Sequence, residues 1–362
     1  MHALLHVVLA AAALIQAQVG PAPLAPTLES VTERQVFQRD ADGGAFVRIE
    51  GSCSDGLATM VARVVQGGRG VTSKALALRD QGGPRQRFEG VLRVPAGGWY
   101  RLELAGAEDA DAFLTLQRFG VGEVFVIAGQ SNSANFGEER TPSFDDRVSA
   151  FDGDTWTLAQ DPMPGVQDGS QGGSPWPQFG AMVARALDVP VGVASTGFGG
   201  TSIRAWQQHH ELITRDERKV RLFDGLASRL TALRAARAIL WHQGESDALG
   251  SMPADEYVEH FRRMQADLAA ELDVPLPPFV VAHASFVPDL AAPKMQAIRD
   301  AQTKLWSSGL ALRGPDTDDL LGALRHSKDR IHFSRRGLDA HAARWFALVY
   351  AQLLAEPPIA PR

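Results

Sequence analysis

The chain has 362 residues, 45% hydrophobic and 22% charged, with a formal net charge of −6 and a single cysteine, Cys53. That length suggests two domains or one large one, with a core big enough to need no metal or disulfide staple. No basic block offsets the acidic balance, which argues against a nucleic-acid partner and gives no reason to expect binding to an anionic membrane.

Residues 1–17 are apolar from Ala3 to Ile15 and end in a small residue, without a Lys or Arg at the start. They read as an export signal, and so as a secreted or periplasmic protein; the alternative is the apolar tail of a cytoplasmic one. Residues 18–27, rich in Ala and Pro, read as a linker. No other segment is long and apolar enough to span a bilayer. The lone cysteine permits neither an intrachain disulfide nor a cysteine zinc site.

Residues 28–120 alternate with period two at 45–50, 59–65, 88–94 and 99–104, between Gly/Asp/Pro clusters such as Asp40–Gly44 and Pro95–Gly98. That pattern predicts a small β-sandwich. Gly51–Gly56, around Cys53, reads as a turn.

Residues 121–356 switch to a repeating strand–loop–helix pattern. Strands are predicted at Glu123–Ala128, Val189–Ser195, Ala236–Trp241 and Pro278–Ala284. Helices are predicted at Trp176–Leu187, Arg218–Ala235, Pro253–Leu272, Pro293–Ser307 and Arg335–Leu354. Alternating units of this kind make an α/β domain, a parallel sheet with helices on both faces, whose ligands bind at the carboxyl ends of the strands. The long Pro- and Gly-rich stretch from Phe136 to Pro175 reads as a wall of that pocket.

Four polar clusters fall at strand ends or before the last helix: Gly129-Gln130-Ser131-Asn132, Gly197–Ser202, His242–Asp247 and Asp329–Ser334. The only asparagines of the chain, Asn132 and Asn135, stand in or beside the first. A serine hydroxyl needs a base, and the base an orienting acceptor. Asp329 and His332, three residues apart, share a face in a turn or helix, so Asp329 can hold one imidazole nitrogen while the other faces Ser131. The alternative for this pair is a capping turn before the Arg335 helix. An oxyanion hole can come from the backbone N–H groups of the Gly197–Gly200 turn and of Ser131, and from the Gln243 amide. The turn is not the α/β-hydrolase elbow, which needs glycine where Ser133 stands.

Together these clusters resemble the SGNH-hydrolase carbohydrate esterases, and within them the sialate O-acetylesterase and acetylxylan-esterase-like group. The resemblance covers roughly Val121 to Leu354 and implies a flavodoxin-like sheet; the strand-rich region before it resembles the β-domain of sialate O-acetylesterases. It implies Ser131 as nucleophile, His332 as base, Asp329 as its orienter, and oxyanion donors at Ser131, Gly200 and Gln243. Gln130, Asn132, Glu245 and Trp206 are implied as substrate contacts or supports of the site, and Met295–Gln302 as a helix packed beside it. No metal or cofactor is implied, and the partner is an O-acetylated carbohydrate.

The chain departs from that family at Arg204, where an acidic residue is common. Arg204 is either a reader of a sugar carboxylate such as that of sialic acid or a solvated arginine. His242 is a rival base expected to point away from the site, and His283 either lines the pocket or packs. His209, His210, His260, His326 and His341 read as surface residues. The function these residues imply is removal of acetyl groups from sialic acid, with acetylxylan as the alternative substrate. A glycan-binding protein with a vestigial site is the alternative of another class.

Overall fold

A computed structural model describes residues 26–54, 57–80, 82–106, 113–214 and 216–355. The predicted export signal and residues 18–25 of the predicted linker lie outside the described residues; Thr27, at the linker's end, already pairs in a strand.

The first region is two packed sheets. One contains β1 (Thr27–Leu28), β3 (Gly44–Ser54) and β6 (Arg85–Pro95); the other contains β2 (Gln35–Gln38), β4 (Met60–Gln66), β7 (Gly97–Ala105) and the start of β8 (Leu114–Gly129). The strand β5 (Arg69–Asp80) joins both, pairing β4 along its first part and β6 along its last. The four predicted strands are all present. β5 was not predicted because most of its side chains are polar or exposed, so no apolar period marks it. The turn expected around Cys53 is instead the end of β3. Its alternation continues as Val47, Ile49, Gly51 and Cys53, all buried, so inward period outweighs the turn-like composition.

The second region is built on seven strands in the spatial order β10-β9-β11-β8-β14-β15-β16. The new members are β9 (Val148–Phe151), β10 (Trp156–Leu158), β11 (Val191–Ser195), β14 (Ala238–His242), β15 (Phe279–His283) and β16 (Leu312–Asp316); between them lie β12 (Leu212–Ile213) and β13 (Lys219–Val220), a separate hairpin. Every pairing in the seven-stranded sheet is parallel except β9 with β10. The run β11-β8-β14-β15-β16 is the flavodoxin-like order, and its direction switches beside β8, where a crevice opens at the strand ends.

Successive residues of β8 serve opposite faces. Val124, Val126 and Ala128 pack with α2 (Leu222–Leu233), α4 (Ala254–Glu271) and α5 (Ala292–Ser307). Phe125 and Ile127 pack with α1 (Trp176–Leu187) and α6 (Arg335–Val349). Burial on both faces is why this strand reads as one unbroken apolar run. α4 presents Tyr257, Phe261, Met264 and Leu268 along one stripe, each fully buried side chain contributing about 1.5–3 kcal/mol.

Predicted and observed ends differ where local pairing intervenes. α2 starts at Leu222 rather than Arg218, because Lys219–Val220 pairs with Leu212–Ile213. The last helix leaves the α form at Tyr350 and ends in a π turn. β16 carries Arg, Gly, Pro and Asp, tolerable because it lies at the sheet edge. His341, expected at the surface, is fully buried: it shares the inward stripe of α6 with Leu338, Ala342 and Trp345, and accepts from Trp345 Nε1 at 2.9 Å.

The two regions are joined through β8 itself, and the expected boundary at 120/121 falls inside this one strand. At the junction the buried Glu123 is gripped by Arg39 at 2.6 Å from the first region and Arg237 at 2.7 Å from the second. A buried carboxylate is tolerable only with such pairing.

Candidate active site

β8 ends where it must pass close to β14. A Cβ on Gly129 would lie 2.1 Å from the His242 carbonyl oxygen, and the residue adopts φ +127°, so only glycine fits. The chain then turns at once into a short 3-10 turn, Ser131–Ser133, closed by Ser133 Oγ donating to the Gln130 carbonyl at 2.7 Å. Ser131 thereby stands at the carboxyl end of the central strand, on the wall of a pocket of about 760 Å³.

His332 lines the same pocket from the segment before α6. Its Nδ1 lies 2.8 Å from Asp329 Oδ2, while Asp329 Oδ1 accepts from the N–H groups of Ile331 and His332 at 2.9 and 3.0 Å. Arg330 takes a left-handed conformation, φ +59°, which folds the Asp329 carboxylate back onto ring and backbone together. Burial opposes ionisation of Asp329, but the His332 ring and those two N–H groups overcome it and hold the carboxyl below its usual range. The helix cap is supplied by Ser334, whose Oγ accepts from Gly337 N at 3.2 Å. Asp329 is therefore left to orient the ring, which also stacks on Phe136 at 4.9 Å.

Two residues of the pocket lining, Ser131 and Gly200, have backbone donors to spare. Among the described residues nothing accepts from the N–H of Ser131 or of Gly200. Gly200 sits at φ +72° with open space where a Cβ would be, so its glycine answers to backbone conformation and not to crowding. The turn before it is pinned by Asp168, which takes the Gly199 N–H at 2.6 Å, and the long loop from Phe136 to Pro175 does form a wall through Phe136 and Asp168. Asn135 holds that loop by exchanging two hydrogen bonds with Met163, both at 2.9 Å.

Comparison with known proteins decides what kind of site this is. Residues 121–352 match the family model of the carbohydrate esterases described as sialic acid-specific acetylesterase. The chain belongs to that family. It is a carboxylic ester hydrolase, a carbohydrate acetylesterase. A probable carbohydrate esterase of Arabidopsis thaliana is 26% identical over 190 residues, 45% of this chain and 69% of that protein. Among solved structures, a novel carbohydrate acetylesterase from Xanthomonas citri is 18% identical with a TM-score of 0.58, over 91% of this chain and 76% of that one. A protein from Arabidopsis thaliana is 20% identical with a TM-score of 0.51, over 64% and 98%. Both share the fold.

The structure corrects one expectation and decides another. Gln243 does not offer a free amide to the pocket. It is fully buried, and its Nε2 donates to the Thr201 carbonyl at 3.0 Å and to Asp247, while its Oε1 accepts from Tyr257 at 2.9 Å. The amide locks the Gly-Gly-Thr turn to the end of β14 and leaves two backbone donors at the pocket. At Arg204 the solvated alternative holds. This arginine lies outside the pocket lining, ion-paired with Glu256 of α4, because the turn Ile203–Trp206 directs it to that helix.

The remaining predicted residues are supports, most of them buried. Gln130 Oε1 accepts from Ser246 N at 3.1 Å and Gly244 N at 3.3 Å, tying β8 to α3 (Glu245–Leu249). Asn132 Nδ2 donates to Glu245 Oε1 at 2.8 Å. Burial raises Glu245 to about 7, and its Oε2 finds no hydrogen-bond partner among the described residues. Trp206 is core, braced on Thr201 Oγ1 at 3.2 Å and packed edge-on against Trp241. In α5, Gln302 reaches the Gln243 carbonyl at 3.1 Å.

Neither rival histidine lines the pocket. His242 is buried against Thr317, with burial pushing it down to about 3; His283 stacks on Trp306 at 4.2 Å. Sequence reasoning missed Arg325, whose buried guanidinium holds the Ile331 carbonyl at 2.6 Å and fixes the His332 segment. It also missed the β12–β13 hairpin, which lines the outer pocket through Leu212, Ile213, Asp216 and Arg218. An isolated arginine and a two-residue strand leave no periodic signal.

Proposed function

We propose that the chain is a serine esterase that removes O-acetyl groups from a sugar, with Ser131 as nucleophile, His332 as general base and Asp329 as its orienter. The observation that carries this reading is that Ser131 and His332 line one pocket while Asp329 occupies the opposite ring nitrogen at 2.8 Å. The Asp329 contact leaves Nε2 as the nitrogen to take the Ser131 proton as its Oγ attacks the acetyl carbon. The tetrahedral oxyanion is met by the N–H groups of Ser131 and Gly200, which line the pocket and have no acceptor among the described residues. His332 then returns the proton to the departing sugar alcohol. Water, activated by the same histidine, hydrolyses the acetyl-serine.

The substrate we propose is O-acetylated sialic acid, the reading the family description supports. It no longer rests on Arg204. A second reading, a neutral acetylated polysaccharide such as acetylxylan, draws on the aspartates of the lining, Asp168 and Asp216, against the single arginine Arg218.

The test is hydrolysis of an aryl acetate by Ser131→Ala, with acetate release from 9-O-acetylated sialic acid and from acetylxylan measured beside it. A loss of about 10⁴-fold or more in kcat is expected for Ser131→Ala. Unchanged aryl-acetate hydrolysis would overturn the catalytic assignment, and a wild type that binds glycans but cleaves no ester would favour a binding protein.

A further inference from the structure

We infer that Arg218, on the β12–β13 hairpin, reads the carboxylate of the substrate. The inference rests on the sialate reading above. With Arg204 committed to Glu256, a carboxylate-bearing sugar needs another cation, and Arg218 is the Lys or Arg of the pocket lining among the described residues.

Its setting is built to present a guanidinium. Thr214 grips the backbone of Arg218 from both sides: Thr214 N donates to the Arg218 carbonyl at 2.9 Å, and Thr214 Oγ1 accepts from Arg218 N at 3.0 Å. The Thr214 hydroxyl also donates to Asp216 Oδ1 at 2.6 Å, and Asp216 Oδ2 accepts from Arg218 Nε at 2.7 Å. One carboxylate thus anchors the inner nitrogen of the fork. The terminal nitrogens Nη1 and Nη2 have no hydrogen-bond acceptor among the described residues, and they are the pair that meets a carboxylate side by side. The arginine is half-exposed, so a substrate reaches it without displacing buried structure.

The charges elsewhere in the pocket sharpen the assignment. Asp168 lies in the lining and Asp329 stands behind His332, with no lysine or arginine of the lining to offset them there, whereas at the hairpin Arg218 balances Asp216, so a substrate anion is better placed at the hairpin than beside His332. That sets an orientation, with ester at Ser131 and carboxylate at Arg218. A sugar acid acetylated on the side chain remote from its carboxyl has this layout. Phe198, Leu212 and Val287 add apolar surface to the same lining for the sugar ring and its substituents.

The experiment compares kcat/KM for 9-O-acetylated sialic acid with that for a neutral acetylated xylooligosaccharide, in wild type, Arg218→Gln and Arg218→Lys. The expected result is a fall in the sialate-to-neutral ratio of about tenfold in Arg218→Gln, carried by KM, with part of it retained in Arg218→Lys. In the wild type, added salt should raise KM for the sialate more than for the neutral substrate. A ratio preserved in both variants, or a parallel salt response for the two substrates, overturns the inference. Failure of the esterase reading itself shows separately, as aryl-acetate hydrolysis that survives Ser131→Ala.

Discussion

The floor and the rim of the pocket are built on opposite principles. The floor lies at the joined ends of β8 and β14, where Gln130, Asn132, Gln243, Glu245 and Asp247 are all buried and hydrogen-bonded, Gln243 to Gln130 and Asp247, and Asn132 to Glu245. The rim is the two-stranded β12–β13 hairpin, with Ile213 72% exposed and Arg218 paired only locally, to Asp216 and Thr214. A reacting serine must be held to a fraction of an ångström, which buried, mutually hydrogen-bonded side chains can do and a solvated hairpin cannot. Recognition of a substrate's outer part tolerates looser placement and can sit on the rim.

His332 belongs to neither. It stands on a half-exposed segment, yet Arg325 and Asp329 clamp that segment from beneath. If this clamp makes it part of the floor, Asp329→Asn should lower kcat by about 10⁴-fold with the fold intact, because the ring loses its orienting anion. Steady-state kinetics alongside a thermal melt checks this; a loss of less than tenfold would place His332 with the rim.

The floor's rigidity should fail through Gln243. Gln243→Leu removes a partner from Thr201, Asp247 and Tyr257 at once, with an expected cost of about 2–4 kcal/mol and a Tm lower by several degrees. A variant as stable as wild type would show that this network is not what holds the turn.

Glu245 gives a smaller, pH-dependent effect. Burial raises its folded-state value to about 7 from an ordinary 4.5. Between these values the unfolded chain has released the proton and the folded chain still holds it, so this group's contribution to stability falls as pH rises from about 4.5 to 7. Asp247, raised by burial to about 6, acts in the same direction. The Tm difference between Glu245→Gln and wild type should therefore grow in the variant's favour as pH rises through that window. A difference that is flat with pH would refute the buried-acid account.

The smallest effect is expected at Arg204→Ala. The Arg204–Glu256 pair is solvent-exposed, so neither Tm nor the sialate-to-neutral ratio should shift measurably. A selective loss of sialate activity there would return the carboxylate contact to Arg204 and undo the distinction drawn for Arg218.

Periodicity and local chemistry in the sequence were enough to place the central strand, the sandwich strands of period two, the start of α1 at Trp176, and the four polar clusters at one sheet edge. These are local properties: the side-chain period reports which faces are buried, and a polar turn after an apolar run reports a strand end. The Asp329–His332 contact was legible for the same reason, since three residues of backbone suffice to bring them together.

The partners of long polar side chains were not legible. Gln243 read as a free amide because a sequence cannot say that Thr201, Asp247 and Tyr257 converge on it. Arg204 read either as a carboxylate contact or as solvated, because only the packing of α4 puts Glu256 beside it. His341 read as surface until the stripe of α6 was seen to turn it inward. The partners of these side chains stand from 4 to 52 residues away along the chain, and which donor meets which acceptor is decided when the sheet and its helices pack.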